Sequence, residues 1–222
     1  MLDVSGSQRN SAGEGGLTSP ATDRLTEADP MTGSTRRTQR WPHDEVLHAW
    51  WVLPGRLLAG EYPGAKTPEI TRDKVARLID AGVTSIVDLT TGEDRLQPYL
   101  DTVEEIVNEE GWEGRPVKYS RSHPIPDMSA IDQQGYDAIV RYIRDELADG
   151  RVVYVHCWGG MGRTTTVVGA LLIDDGLDYA ATITRIAELR AGTRKAHVPC
   201  PQSAIQHRAL KERAAARSSA IR

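Results

Sequence analysis

Strand-like apolar runs alternate with segments of helical period along this chain. That alternation predicts an α/β domain with a central, mostly parallel sheet flanked by helices. Two observations carry the prediction. Ser85-Ile86-Val87-Asp88-Leu89 and Arg151-Val152-Val153-Tyr154-Val155 are nearly continuous apolar runs, as expected of strands covered on both faces. The second run passes through a glycine-rich turn straight into another apolar helix. At 222 residues the chain suits one such domain.

Residues 1–40 are rich in Gly, Ser, Thr and charge without apolar period, and are expected to be a disordered tail. The domain is expected over 41–216, with a flexible end at 217–222. Ala49-Trp50-Trp51-Val52 and Leu57-Leu58-Ala59-Gly60, joined at Pro54-Gly55, predict a first hairpin. Thr67 caps a helix whose first position is Pro68, with Val75, Leu78 and Ile79 inward and Gly82 as its stop. After the strand at Ser85–Leu89, a second helix is expected over about Leu96 to Glu110, stopped by Gly111. Val117-Lys118-Tyr119 is a short strand. Ser129 and Asp132 open a third helix with Ile131, Ile139, Tyr142, Ile143 and Leu147 inward. Helices are then expected from Arg163 to Asp175, Tyr179 to Arg190 and Ser203 to Ala216.

Bulk properties narrow the function. The net charge of −4 gives no basic footprint for nucleic acid. No apolar stretch approaches the roughly 20 residues of a membrane helix, and no secretory leader is visible. Only two cysteines, Cys157 and Cys200, are present, so a disulfide scaffold is not expected and a reducing, cytoplasmic home is. The six histidines show no ligand spacing with carboxylates or thiols, so neither metal nor cofactor is expected; His43 and His48 are expected at the surface.

The chemistry concentrates at His156-Cys157-Trp158-Gly159-Gly160-Met161-Gly162-Arg163-Thr164. A buried strand ends, three glycines let the backbone turn tightly, and a helix N-terminus points its free N–H groups at the centre of the turn. Successive N–H groups of this kind form an anion nest. The loop formed by Trp158, Gly159, Gly160, Met161 and Gly162 is therefore expected to hold a phosphate, with Arg163 as its bidentate clamp. Cys157, at the start of the loop, is placed as a thiolate nucleophile. His156 is expected to orient the loop by hydrogen bonding and help keep Cys157 charged. Thr164 is expected to donate its hydroxyl to the sulfur.

His-Cys-x5-Arg-Thr in this context resembles the signature loop of the protein tyrosine phosphatase superfamily, most of all its dual-specificity and atypical bacterial branch. The stretch from Trp51 to Gly64 also looks like the opening of a bacterial group of such enzymes. The resemblance covers about Trp50 to Leu210 and implies a dual-specificity-phosphatase-like fold and a phosphocysteine intermediate. It implies an aspartic acid that protonates the leaving oxygen and then activates water. Asp127, in Pro124-Ile125-Pro126-Asp127, matches that residue; Glu93 and Asp94 are the rivals. Gln206, with Gln202 second, matches a late glutamine that helps position the hydrolytic water. Two features depart from the pattern. Thr165 and Thr166 stand where many members have Gly next, so Thr165 is expected to add a hydroxyl near the site. Trp158 follows the nucleophile and is expected to pack behind the loop. Cys200 is expected to be a packed thiol.

The implied substrate is a phosphomonoester, with proteins phosphorylated on Tyr, Ser or Thr as the leading class. A nucleotide or sugar phosphate is the alternative. The loop itself carries no second cation, which argues against a multiply phosphorylated inositol, although Arg95, Arg121 and His123 could add charge from other loops. A catalytically inactive phosphate-binding module is disfavoured because Cys157, Arg163 and Asp127 are all present; rhodanese-like and arsenate-reducing folds do not fit the loop's position and surroundings. The oligomeric state is open.

Overall fold

The computed structural model describes residues 40–109 and 116–220; most of the expected N-terminal tail and Gly111 lie outside them. Five strands form one sheet in the order β1-β2-β5-β3-β4. They are β1 (Ala49–Leu53), β2 (Leu57–Gly60), β3 (Val83–Asp88), β4 (Lys118–Ser120) and β5 (Val152–His156). Only the β1–β2 hairpin is antiparallel, and the other three pairings are parallel. Six helices complete the described residues: α1 (Pro68–Asp80), α2 (Leu100–Glu109), α3 (Gln133–Ala148), α4 (Arg163–Asp174), α5 (Tyr179–Leu189) and α6 (Ala204–Ala220).

The period of two along each strand separates two cores. Leu58, Ile86 and Tyr154 face α1 and α2 together with Val75, Leu78, Val103 and Ile106. Leu57, Ala59, Val87, Val153 and Val155 face the opposite layer with Ile139, Ile143, Val168 and Leu171. Strand β5 lies between β2 and β3 with both faces covered, Tyr154 in one core and Val153 and Val155 in the other, which explains its unbroken apolar run.

This topology locates the site. The parallel strands end along one edge, where Gly60 and Asp88 both pair with His156. Four segments leave that edge together: Glu61-Tyr62 after β2, the turn at Thr90–Asp94 after β3, the loop that carries Asp127 after β4, and the glycine loop after β5. Ligands of open α/β sheets collect outside the carboxyl ends of strands, at such a switch point.

Several expectations are corrected. Helix α2 starts at Leu100, not Leu96, because the residue before Pro98 is pushed away from helical dihedrals. Upstream of it stands a short 3-10 turn, Gly92–Asp94, closed by Arg95 at φ 50°. His48 is fully buried, not at the surface: its Nδ1 lies 2.8 Å from Asp44 Oδ1, and burial lowers its pKa against the opposing pull of Asp44. Helix α6 runs to Ala220 rather than ending at Ala216. Thr67 precedes α1 but makes no side-chain cap bond. Asp132 and Asp178 do cap, accepting from Gly135 N and Ala181 N at 2.8 Å each.

These caps yield a contrast. Asp132→Ala and Asp178→Ala should each cost about 1 kcal/mol in urea unfolding, the usual weight of a cap bond. Thr67→Ala should cost clearly less, and equal losses at all three would show that the cap bonds are not what stabilises α3 and α5.

Candidate active site

Cys157 begins the glycine loop directly after β5 and is 2% exposed. The loop's carbonyls are pulled outward. Trp158 O accepts from Tyr62 N at 2.9 Å, and Gly159 O from Lys195 Nζ at 3.1 Å. Met161 O accepts from the Thr165 hydroxyl, and Gly162 O from Thr165 Oγ1 at 3.0 Å and Thr166 Oγ1 at 2.9 Å. A peptide whose carbonyl points out presents its N–H inward. Among the described residues, no N–H from Trp158 to Gly162 donates to a protein acceptor. Buried N–H groups are normally paired, so this run of free donors ahead of the α4 N-terminus is suited to an oxyanion.

Gly160 sets how tightly the loop is wound. Its φ is +73°, and a Cβ there would lie 2.6 Å from the Gly60 carbonyl carbon and 2.8 Å from Glu61 N. Gly159 has only the Met161 terminal methyl, at 3.4 Å.

Arg163, 1% exposed, closes the loop. Its Nη1 donates to Asp94 Oδ2 at 2.8 Å and to Ile125 O at 3.0 Å; its Nη2 donates to Asp94 Oδ1 at 2.9 Å. Nη2 also lies 3.0 Å from Asp127 Oδ1. Its Nε is buried without a partner among the described residues. Burial opposes the charge on Arg163, but Asp94, Cys157 and Asp127 outweigh it and raise its pKa.

The two carboxylates differ. The Asp94 side chain is 2% exposed, and Thr91 N also donates to it, at 2.7 Å. Burial favours its neutral form, yet the bonds from Arg163 and Thr91 prevail and hold its pKa below the ordinary range. That makes Asp94 a fixed anion and a poor proton donor; Glu93, beside it, is exposed. The Asp127 side chain is 55% exposed. Its loop is anchored one turn earlier by Ile125, fully buried, whose N–H donates to Leu89 O at 3.0 Å. Of the three expected acids, only Asp127 is both at Arg163 and accessible.

Other expectations change. The Thr164 hydroxyl donates to Gly60 O at 3.3 Å, not to the Cys157 sulfur, because the first turn of α4 packs on the end of β2. The Thr165 hydroxyl does stand at the loop, where it donates to Gly162 O at 3.0 Å. Trp158 is 54% exposed, so it does not pack behind the loop. His156 is fully buried among Tyr62, Tyr99 and Tyr154. Its Nε2 lies 2.7 Å from Tyr99 Oη, and its Nδ1 3.3 Å from Cys157 O. Burial lowers its pKa despite Asp88, so it is a neutral brace and not a cation beside the thiol. Gln206 is fully buried. Its Oε1 accepts from Gln202 N and Ser203 N at 3.1 Å, and its Nε2 donates to Ser129 O at 3.2 Å. In this arrangement both its polar atoms are engaged with backbone, while exposed Gln202 also reaches Gly162. Burial pushes the Cys200 thiol up to about 11, as befits a packed thiol. Among the described residues no cluster of His, Cys, Asp or Glu could hold a metal.

Sequence reasoning missed the Glu61 cluster. This largely buried carboxylate receives Lys74 at 3.2 Å, Arg194 at 2.6 Å and Lys195 at 2.8 Å, which link the segment before α6 to the loop. Contacts so far apart in the chain leave no local signal.

Solved structures share this architecture. Tk-PTP in its active form is 26% identical, matching 75% of this chain and 96% of its own at a TM-score of 0.55. Kinase-associated phosphatase with its catalytic cysteine changed to serine matches at 21% identity, 77% and 97% coverage and a TM-score of 0.58. PTPMT1 in complex with PI(5)P matches at 18%, 76% and 96%, with a TM-score of 0.55. The fold is thus that of the dual-specificity and atypical tyrosine phosphatases. The chain belongs to the family described as "Polymorphic toxin system, DSP-PTPase phosphatase", which matches residues 61–177.

Two outcomes are expected. Gly160→Ala should destabilise the protein by at least the roughly 1–2 kcal/mol of a left-handed residue and deform the loop, whereas Gly159→Ala should be mild; thermal melts with phosphate binding check both. Asp94→Asn should cost about 3 kcal/mol, as expected when one partner of a buried pair is removed. The Asp94 contribution is complete above the unfolded carboxyl pKa of about 4 and is lost as the pH falls through its lower folded value. Stability of the Asn variant should therefore change less across that acid range than that of the wild type.

Proposed function

We propose that the chain hydrolyses phosphate monoesters through a phosphocysteine intermediate. The observation that carries this reading is the loop itself: outward carbonyls, free N–H groups and an unpaired Arg163 Nε surround the start of α4 beside Cys157. Phosphoryl transfer requires positioning and charge stabilisation more than covalent help, and these groups supply both. Cys157 Sγ attacks phosphorus in line while the bond to the leaving oxygen breaks. Asp127 gives that oxygen its proton. In the second half Asp127 takes a proton from water as the water oxygen attacks phosphorus, and the thiolate departs with the electron pair of the S–P bond.

Arg163 makes the cycle workable. An incoming phosphate competes with exposed Asp127 for Nη2 but leaves buried Asp94 in place. Asp127 is thereby released towards the leaving group while the guanidinium keeps its orientation. His156 braces the loop, and Gln206 joins the acid-loop exit at Ser129 to the start of α6. Gln206 and Gln202 both bring side-chain amide atoms up to Gly162, and the water-positioning role falls to this pair.

Proteins phosphorylated on Tyr, Ser or Thr are the substrate class we favour. Exposed Trp158 directly follows the nucleophile, and exposed Met128 directly follows Asp127. They offer exposed apolar surface, next in the chain to each reacting group, to a peptide or phenyl ring.

Hydrolysis of p-nitrophenyl phosphate in the presence of chelator tests the chemistry. Wild type should turn over, and Cys157→Ser should not while still binding phosphate. Asp127→Ala should lower kcat by about 10²–10⁴, the range of general acid catalysis. Full activity in the Ser variant would remove Cys157 as nucleophile, and full activity in the Ala variant would remove Asp127 as acid.

A further inference from the structure

Beside the glycine loop lies a pocket of about 210 Å³, lined by Tyr62, Thr91, Arg95, Tyr99, Tyr119 and Arg121 among others. We propose that it is a second anion subsite, which takes a carboxylate or phosphate that the substrate carries near its reacting phosphate. The inference rests on the phosphomonoesterase reading and names what that substrate must also contain.

The pocket adjoins the reaction centre through three connections. Arg95 follows Asp94, which grips Arg163. Tyr99 Oη reaches His156, the residue before the nucleophile, at 2.7 Å. Tyr62 N holds the carbonyl of Trp158, the residue after it, at 2.9 Å. On this proposal one substrate spans both places.

Its charge is unbalanced. Arg95 is exposed, and among the described residues its guanidinium has neither hydrogen bond nor ion pair. Arg121 is fixed at the wall by Thr90: Nε donates to the carbonyl at 3.0 Å and Nη2 to the hydroxyl at 3.4 Å. Two carboxylates close to the pocket, Asp88 and Asp94, are already engaged, while exposed Glu93 stands on the same turn as Asp94. Asp88 accepts from Tyr119 Oη at 2.7 Å and from Thr90 N at 2.8 Å, and stands 3.9 Å from Arg121 Nε. Asp94 is turned to Arg163. Burial, helped by Asp88, raises the Tyr62 pKa to about 12, so its phenol stays a donor at neutral pH.

Arg95 is also presented deliberately. It sits at φ 50°, a conformation that costs a non-glycine residue energy and that the 3-10 turn at Gly92–Asp94 imposes. The same turn that positions Asp94 for catalysis thus aims the next residue at the pocket. By contrast Lys74, Arg194 and Lys195, the cations on the other side of the loop, are occupied by Glu61.

The test compares two substrate pairs: phosphotyrosine peptides with Glu or with Ala flanking the phosphotyrosine, and fructose 1,6-bisphosphate against fructose 6-phosphate. Each kcat/KM is referred to p-nitrophenyl phosphate, which has no second anion. Wild type should prefer the member with the extra anion in one pair by about tenfold, the weight of one charge-assisted hydrogen bond. Which pair shows the preference identifies a peptide carboxylate or a second phosphate as the source. Arg95→Asn, which keeps a residue tolerant of positive φ, should bring that ratio close to one. Absence of preference in both pairs, or a preference that survives Arg95→Asn, would overturn the subsite. Calorimetric binding of the same pairs to Cys157→Ser needs no turnover. A preference seen there with an inactive wild type would leave the subsite standing while the hydrolase reading falls.

Discussion

One buried guanidinium organises this molecule's reactive edge. Arg163 belongs to α4, Asp94 to the turn after β3, and Ile125 and Asp127 to the loop after β4. The hydrogen bonds of this one side chain draw these segments to α4, and the Ile125 N–H to Leu89 O bond ties two of them to each other. A buried charge is costly unless compensated, so Arg163 forces each neighbouring loop to present an oxygen. Division of labour between the carboxylates follows from burial. The Asp94 side chain is enclosed, whereas that of Asp127 stands half in solvent at the same guanidinium.

The second constraint acts on the backbone. A loop becomes an anion nest only if its carbonyls find partners outside it, and here each comes from a different part of the chain: Tyr62 after β2, Lys195 before α6, and Thr165 and Thr166 within α4. The two extra threonines that depart from the expected Gly are therefore part of the loop's own scaffold. Lys195 is itself anchored by Glu61, whose pKa is lowered because Lys195, Lys74 and Arg194 outweigh its burial. The phosphate loop is thus tied to both ends of the domain's sequence.

Around this fixed centre the surface is divided. Trp158 and Met128 supply apolar contact, and the pocket of Arg95 and Arg121 supplies positive charge to one side. Membership of a polymorphic toxin-system family is a statement about the chain's kin.

The α/β class, the strand and helix order and the Cys157–Arg163 loop were legible in the sequence because each rests on short-range chemistry. Periods of two and three to four mark faces, glycines mark tight backbone, and Asp132 marks a helix start within three residues of the group it caps. Asp127 was legible through its resemblance to a known acid loop. Tertiary structure alone decided the partners. Asp94 lies 69 positions from Arg163 and reads locally as one acid among several. His48 and Trp158 were misplaced because burial depends on what the fold lays over a side chain, and residue type does not reveal that. Thr164 was assigned to the sulfur by adjacency in sequence, but the end of β2, a hundred residues away, offers its carbonyl from the adjoining strand. Local pattern determined which elements form and where the reactive loop lies; long-range packing determined which charges meet, which stay exposed, and hence which acid is free to move.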